Sequence, residues 1–391
     1  MTVYKYQEIY YPRNFMPLII MLAYIQNQKN KNVKRVLLIN THNDKEYKNR
    51  INKKIIEFFK DFFSNYFDEI RYIKFKSKLK IIKRPFLSKK SNFLRTIAKS
   101  NVVKNNLKKI NIENKDLPIN KVFCGGDNFE VVLLKKLDNR PSFYFVEHGY
   151  GNLRDMIIFK PNFKYKIYNL IIKFLNKLGI LYFYPIKYHS YVGILSKNIK
   201  EKMYMNFESI ENKINVTNVF KIISQMCKIV KEKKKITKRK LKYIFFNVST
   251  LIISKDKKEF QDLLKKISSI INKKNECLLI KTHPTWHSLE TKRCLNVMKN
   301  YFKKNKIKYY YLENDFLEKL PAELIVALFN IKKVFSDMSS IPFFCSMIYK
   351  NIRCYVPLDY GIVNTSMKLH IKKDIENKSF FNNMTKKVRF I

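Results

Sequence analysis

The sequence predicts an α/β chain made of two Rossmann-like domains facing each other across a cleft. Three observations carry this expectation. Short apolar runs alternate with amphipathic stretches of helical period. The alternation halts at a dense basic run and then restarts. Several of the apolar runs break into polar residues at their carboxyl ends, where open parallel sheets hold their ligands. With 391 residues the chain is long for one domain and sufficient for two separate cores.

Taken in order, residues 14–28 read as a helix and Val33–Asn40 as the first clear strand. The stretch 46–63 sets Ile51, Ile55, Phe58, Phe59 and Phe62 on one side of a helix, and a strand follows near 70–75. A basic, helical-looking stretch, 88–109, leads through a loop to a strand at 121–124, then Gly125-Gly126-Asp127-Asn128, then a helix over 129–137. Ser142–Val146 (SFYFV) reads as a buried strand ending in Glu147-His148-Gly149-Tyr150-Gly151. Four of the seven glycines fall between 125 and 151, so tight turns or close backbone approach are expected at these two strand ends. A helix over 162–180 and a strand near 191–195 close the first half.

The densest basic run, 227–242 (CKIVKEKKKITKRKLK), reads as a partly helical interdomain connector or as a solvated helix face. It divides the chain into residues 1–228, a linker at 229–241 and residues 242–391. Strands are then expected at 242–249, 276–281, 307–312, 332–335 and 352–356, alternating with helices at 257–272, 287–305, 321–329 and 340–349. That order implies parallel strands with right-handed crossovers. Neither a glycine-rich dinucleotide fingerprint nor a P-loop, zincin motif or internal repeat occurs.

Composition narrows the class. Lys and Arg number 79 against 31 Asp and Glu, a net charge of +48. Lysine, asparagine and isoleucine abound along the whole chain, so the charge reads either as background bias or as a surface for an anionic partner. The 15% aromatic and 46% apolar content excludes a disordered chain. A non-catalytic nucleic-acid binder would use the same charge and aromatics, but no RNA-binding motif supports it and no nucleic-acid partner is expected. The six cysteines show no paired spacing and sit mostly in apolar runs, as reduced core thiols of a cytoplasmic protein do. The opening residues do not read as a leader, and no apolar stretch reaches the roughly 20 residues a membrane span needs. The nearest, about 165–188, is a basic amphipathic segment rich in Tyr and Phe. It reads as a core-facing helix with lysines outward, or as a helix lying on an anionic leaflet.

Three places carry chemistry. A carboxylate and an imidazole, Glu147 and His148, stand at a strand tip beside Gly149, where a general base faces a cleft; the plainer alternative is a glutamate capping a turn. His283 ends the run LLIKT, and Pro284 holds it extended so that its imidazole is aimed, able to hold or protonate a leaving phosphate. Ser336-Asp337-Met338-Ser339-Ser340 ends one strand and opens a helix, where hydroxyls and free amides suit an anion or simply cap the helix. Glu323, at the start of the preceding helix, accepts from a sugar hydroxyl or favours its helix terminus. The six histidines lack metal-ligand spacing, so no metal and no resident cofactor are expected.

With these residues in order, the chain resembles the bacterial polysialyltransferase and lipooligosaccharide sialyltransferase families. The marks are Glu147-His148-Gly149, His283-Pro284 and Ser339-Ser340. Members have two domains of GT-B type, invert configuration and use CMP-sialic acid without metal. The resemblance implies an acceptor-side first domain and a nucleotide-donor second domain. It makes Glu147 or His148 the base that deprotonates an acceptor hydroxyl, His283 the contact to the departing CMP phosphate, and Ser339 and Ser340 the phosphate binders. Pro284, Glu323, Gly125 and Gly149 complete the donor set. The family pattern has an acidic residue where His148 stands, which leaves the base as Glu147, His148 aided by Glu147, or neither. The implied partners are a nucleotide-sugar donor, an acidic glycan or glycolipid acceptor and the anionic inner leaflet of the membrane. Ser-Asp-x-Ser-Ser with Lys281-x-His283-Pro284 also resembles wall teichoic acid and capsule polymerases that transfer glycerol phosphate from CDP-glycerol. His148-Gly149 fits the first-domain motif of those enzymes in part.

Overall fold

Every strand pairing among the described residues is parallel. The structure, a computed structural model, describes residues 4–12, 14–28, 32–40, 51, 53–73, 117–124, 141–147, 167, 170–171, 174–175, 177–178, 188–194, 209–211, 214–234, 242–248, 257–282, 289–312, 316–336, 340–356 and 387–390. These divide into two compact units, those up to Asn215 and those from Val216 onward.

The first unit holds β1 (Tyr6–Tyr11), β2 (Val33–Asn40), β3 (Glu69–Ile73), β4 (Ile119–Cys124), β5 (Ser142–Val146), β6 (Ser190–Val192) and β7 (Ser209–Glu211), in the sheet order β3-β2-β1-β4-β5-β6-β7. That is the doubly wound order, which reverses direction between β1 and β4. Strand β1 is unexpected from sequence, because Gln7 and Glu8 interrupt its apolar run, yet both are buried. Their partners explain how. Gln7 Nε2 donates to Leu117 O at 3.0 Å, and Tyr10 Oη donates to Glu8 Oε2 at 2.7 Å. Lys121 on β4 brings its Nζ to 3.7 Å from Glu8 Oε1.

Register turns the same strand into the core. Tyr10 lies opposite Leu37 on β2 and Phe123 on β4, and Phe123 lies opposite Tyr144 on β5. The rings stack, Tyr10 on Phe123 at 4.6 Å and Phe123 on Tyr144 at 4.7 Å between centroids. Burial first, then the Glu8 carboxylate, pushes the Tyr10 phenol well above its ordinary range. Helix α1 (Phe15–Gln26) is apolar all round, and all its residues from Phe15 to Ile25 are buried, with Tyr24 tilted against Phe123 at 5.0 Å. Helices α2 (Lys53–Phe58) and α3 (Lys60–Ser64) break at Phe59 what the sequence presents as one helix, while still burying Ile55, Phe59, Phe62 and Phe63.

The second unit contains α4 (Val216–Lys234), β8 (Lys242–Val248), α5 (Lys257–Ile270), β9 (Glu276–Thr282), α6 (Leu289–Lys304), β10 (Tyr309–Tyr311), α7 (Ala322–Leu328), β11 (Lys333–Ser336), α8 (Ser340–Ile348), β12 (Arg353–Val356) and β13 (Val388–Phe390). Its sheet runs β10-β9-β8-β11-β12-β13, the same doubly wound order, reversing between β8 and β11. One face of this sheet packs on α5 and α6 through Ile244, Phe246, Leu278, Ile280 and Phe335 against Leu264, Ile267, Met298 and Phe302. The residues between them in the strands, Phe245, Leu279, Lys281, Val334 and Ser336, belong to the opposite face. The expected strands from 242 to 356 are present within one to three residues; β7 and β13, three residues each, are too short to be read from sequence.

The basic run begins inside α4, which is helical through Lys234. Val219, Ile222, Ile223, Met226, Cys227 and Val230 recur at three and four residues and are buried, with α4 packed on α7 and α8 of the second unit. Its lysines 228, 231, 233 and 234 lie off that stripe, so this part of the run is the solvated face of a packed helix. All five described cysteines are free and buried. Among the described residues no helix is long and apolar enough to cross a membrane.

The aromatic ladder generates a prediction about stability. Phe123→Ala removes a fully buried ring from the middle of the stack and is expected to destabilise the first unit by roughly 3–5 kcal/mol in urea titrations. Tyr10→Phe keeps the ring but withdraws the donor to buried Glu8, at about 1–3 kcal/mol. Equal, near-zero effects from both would contradict a core centred on β1.

Candidate functional site

Parallel strands bring their carboxyl ends to one edge of each sheet, and ligands of doubly wound sheets bind where the strand order reverses. In the second unit that point lies between β8 and β11. Lys281 on β9 pairs with Asn247 on β8, and Asn247 pairs with Ser336 on β11, so these three backbone positions form a row one residue short of the β8 and β9 ends. Lys281 and Ser336 are buried, at 3% and 1% exposure. Ser340 begins α8, the helix that follows β11 in the chain.

Lys281 lies in the strand expected over 276–281 and in the Lys-x-His-Pro pattern, but its burial inside the protein is not foreseen from sequence. Its counter-charge comes from Glu323 in the first turn of α7 and from Glu318 just before that helix. Burial lowers the Lys281 amine to about 8, and the two carboxylates act against that shift. Burial raises Glu323 to about 6, opposed by its own backbone amide and by Lys281. Around neutral pH both are therefore ionised, so that buried opposite charges at the end of β9 and the start of α7 attract each other. The Glu323 carbonyl accepts from Tyr349 Oη at 2.7 Å, joining α7 to the end of α8. Glu323 is thus buried at the start of α7 rather than displayed at the surface.

In the first unit Glu147 follows β5 at its carboxyl end, the position expected from sequence, and is fully buried. Its backbone amide donates to Val192 O at 3.0 Å, and its Oε2 accepts from Ile194 N at 2.8 Å. Burial first, then the Glu147 carboxylate, holds the nearby Tyr191 phenol well above its usual range. The carboxylate therefore clasps the end of β6. Gly193 completes the clasp: a Cβ there would overlap Glu147 Oε2 and come within 2.8 Å of Glu147 Cβ and of the Tyr191 ring. Gly193 is a residue missed from sequence, where a lone glycine within the strand expected near 191–195 gives no sign that a carboxylate occupies its side-chain space.

His148, His283, Pro284, Ser339, Gly125 and Gly149 lie outside the described residues, and of Ser340 only the backbone is described. Among the described residues no group of three His, Cys, Asp or Glu side chains comes together as a metal site.

No family model matches the chain, and no curated protein matches its sequence. Among solved structures it is similar to the ADP-heptose lipopolysaccharide heptosyltransferase II of E. coli, at 8% identity and a TM-score of 0.41 over 98% of this chain and 90% of that one. It is similar to the UDP-GlcNAc 2-epimerase of Neisseria meningitidis, at 13% identity and a TM-score of 0.46 over 97% and 94%. A wall teichoic acid polymerase aligns at 11% identity and a TM-score of 0.38 over 91% of this chain and 70% of the polymerase.

The buried pair yields two expectations. Lys281→Met strands Glu323 without its cation and should cost roughly 3–5 kcal/mol in denaturant titrations at pH 7, while Lys281→Met combined with Glu323→Leu should recover most of the loss. Equal losses in single and double variants would mean the two groups do not act together. The pH dependence has a defined sign. The folded chain keeps the Glu323 proton up to about pH 6 and the unfolded chain loses it near 4.5, so this contribution falls as pH rises across that interval. Folded Lys281 releases its proton near pH 8 against 10.5 when unfolded, so its contribution rises from 8 to 10.5. Glu323→Gln should flatten the first slope when denaturation midpoints are followed against pH.

Proposed function

We propose that this chain is an inverting, metal-independent glycosyltransferase of the GT-B type. It moves sialic acid, or a related acidic sugar, from a CMP-activated donor to a hydroxyl of a bacterial surface glycan such as capsule or lipooligosaccharide. The observation that supports this reading most is the second unit's reversal point. The strand that leads into His283-Pro284 and the strand that leads into Ser339-Ser340 flank β8 there, one on each side. A nucleotide phosphate at that edge meets an imidazole from one connection and hydroxyls with helix amides from the other.

In this mechanism His283 contacts the phosphate of the departing CMP and supplies a proton as it leaves, with Pro284 keeping its backbone extended. Ser339 and Ser340 hold the phosphate, and Glu323 with Lys281 keeps the floor beneath them rigid. The first domain carries the acceptor. The burial of Glu147 and the bond its carboxylate accepts from Ile194 N favour His148 as the base that takes the acceptor proton, with Glu147 locking the strand end that precedes His148 in sequence. The enzyme works in the cytoplasm at the inner face of the membrane, on a donor nucleotide sugar and an acidic acceptor.

The pattern Lys281-x-His283-Pro284 with Ser336-Asp337-x-Ser339-Ser340 supports a second reading, glycerol phosphate transfer from CDP-glycerol. The two share a cytidine donor and differ in the group moved. Purified protein incubated with CMP-sialic acid and CDP-glycerol separately should release CMP from the first, and release from CDP-glycerol alone would overturn the sialyltransferase reading. Binding to any single-stranded nucleic acid with neither donor turned over would overturn both. His148→Ala should abolish transfer with an unchanged melting temperature. Glu147→Gln should lower the melting temperature, since it replaces a carboxylate oxygen at the clasp.

A further inference from the structure

We propose that the described helical residues between positions 167 and 178 dock the protein on an anionic lipid surface, lying in the plane of the interface. Ile167, Leu170, Ile171, Phe174 and Leu178 are 42%, 65%, 47%, 61% and 56% exposed. Their spacing of three, one, three and four residues puts all five on one side of a helix, and Leu178 N donates to Phe174 O at 3.0 Å, the hydrogen bond of an α-helical turn. A soluble protein seldom displays an unbroken stripe of large apolar side chains, because each forfeits burial that the core would provide. The core-facing arrangement expected of this segment from sequence is therefore overturned: the apolar side looks outward.

The chemistry of the occupant follows from the residues around the stripe. The sequence has lysines at 164, 166, 173 and 177 and no acidic residue from 156 to 200, and Lys177 is exposed. Cations beside an apolar stripe suit a surface with hydrocarbon beneath and negative charge above, the lysines reaching the headgroups while the apolar side chains sink about 5–10 Å. The net charge of +48 adds a long-range attraction of the same sign. A second copy of this chain is a poorer occupant, since two such faces would bring their lysines together. Spanning is out of reach: eleven steps of helix cover roughly 16 Å against about 30 Å of hydrocarbon. The proposal stands on this segment alone and does not depend on the transferase reading.

The test is sedimentation of the full chain with sucrose-loaded vesicles of phosphatidylcholine alone or with 30 mol% phosphatidylglycerol. Wild type should partition onto the anionic vesicles at least tenfold more strongly than onto the neutral ones, and added salt should weaken binding. The double variant Leu170→Glu, Phe174→Glu changes only exposed positions, so its melting temperature should match wild type while its partition onto anionic vesicles drops at least tenfold. Wild type left in the supernatant with anionic vesicles would overturn the proposal. So would a folded double variant that binds like wild type, because the stripe would then be idle. A wild-type dimer in light scattering that the double variant converts to monomer, with vesicle partition unchanged, would assign the face to a second copy instead.

Discussion

Parallel pairing is the constraint on which the rest depends. A parallel strand must return by a crossover, so all carboxyl ends of a sheet gather on one edge and all amino ends on the other. Wherever the order reverses, two neighbouring connections leave in opposite directions and open a gap at that edge. Both sheets of this chain have one such reversal, between β1 and β4 and between β8 and β11. Lys281, Asn247 and Ser336 fall in one row near such an end for this reason.

Much of this was legible in the sequence, because strands such as Val33–Asn40 and Glu276–Thr282 are apolar runs with no rival reading. Their order predicted two doubly wound units. Strand β1 was hidden because its buried polar pair, Gln7 and Glu8, is satisfied by partners far along the chain, Leu117 and Lys121, which no local pattern announces. The break at Phe59 was equally silent, since the apolar face of 53–64 continues through it. Residues 165–188 had two faces of plausible use, and only exposure decides which one meets solvent.

The candidate site divides along the same line. Residue types at strand ends, His283-Pro284 and Ser339-Ser340 among them, are visible as departures from apolar patterning. Residues that support a site from within are not. Lys281 looks like the end of a strand and Gly193 like part of one, yet one is a buried cation influenced by Glu318 and Glu323 and the other leaves the space that the Glu147 carboxylate fills. Burial also recasts Glu147 itself. A carboxylate with no exposure that accepts from Ile194 N is better suited to holding β5 against β6 than to meeting an acceptor.

The position of β1 has a consequence for how the chain reaches its native state. Its two neighbours are β2, close in sequence, and β4, where Gln7 stands opposite Ile119. During synthesis the central strand must wait, half paired, until the ribosome has delivered β4, with the Tyr10 ring lacking its stacking partner throughout. Such non-local closure is slow and leaves a sticky strand edge open to other nascent chains. Recombinant yield should accordingly depend more on slow translation and chaperone supply than the finished sheet's tight ring stack would suggest.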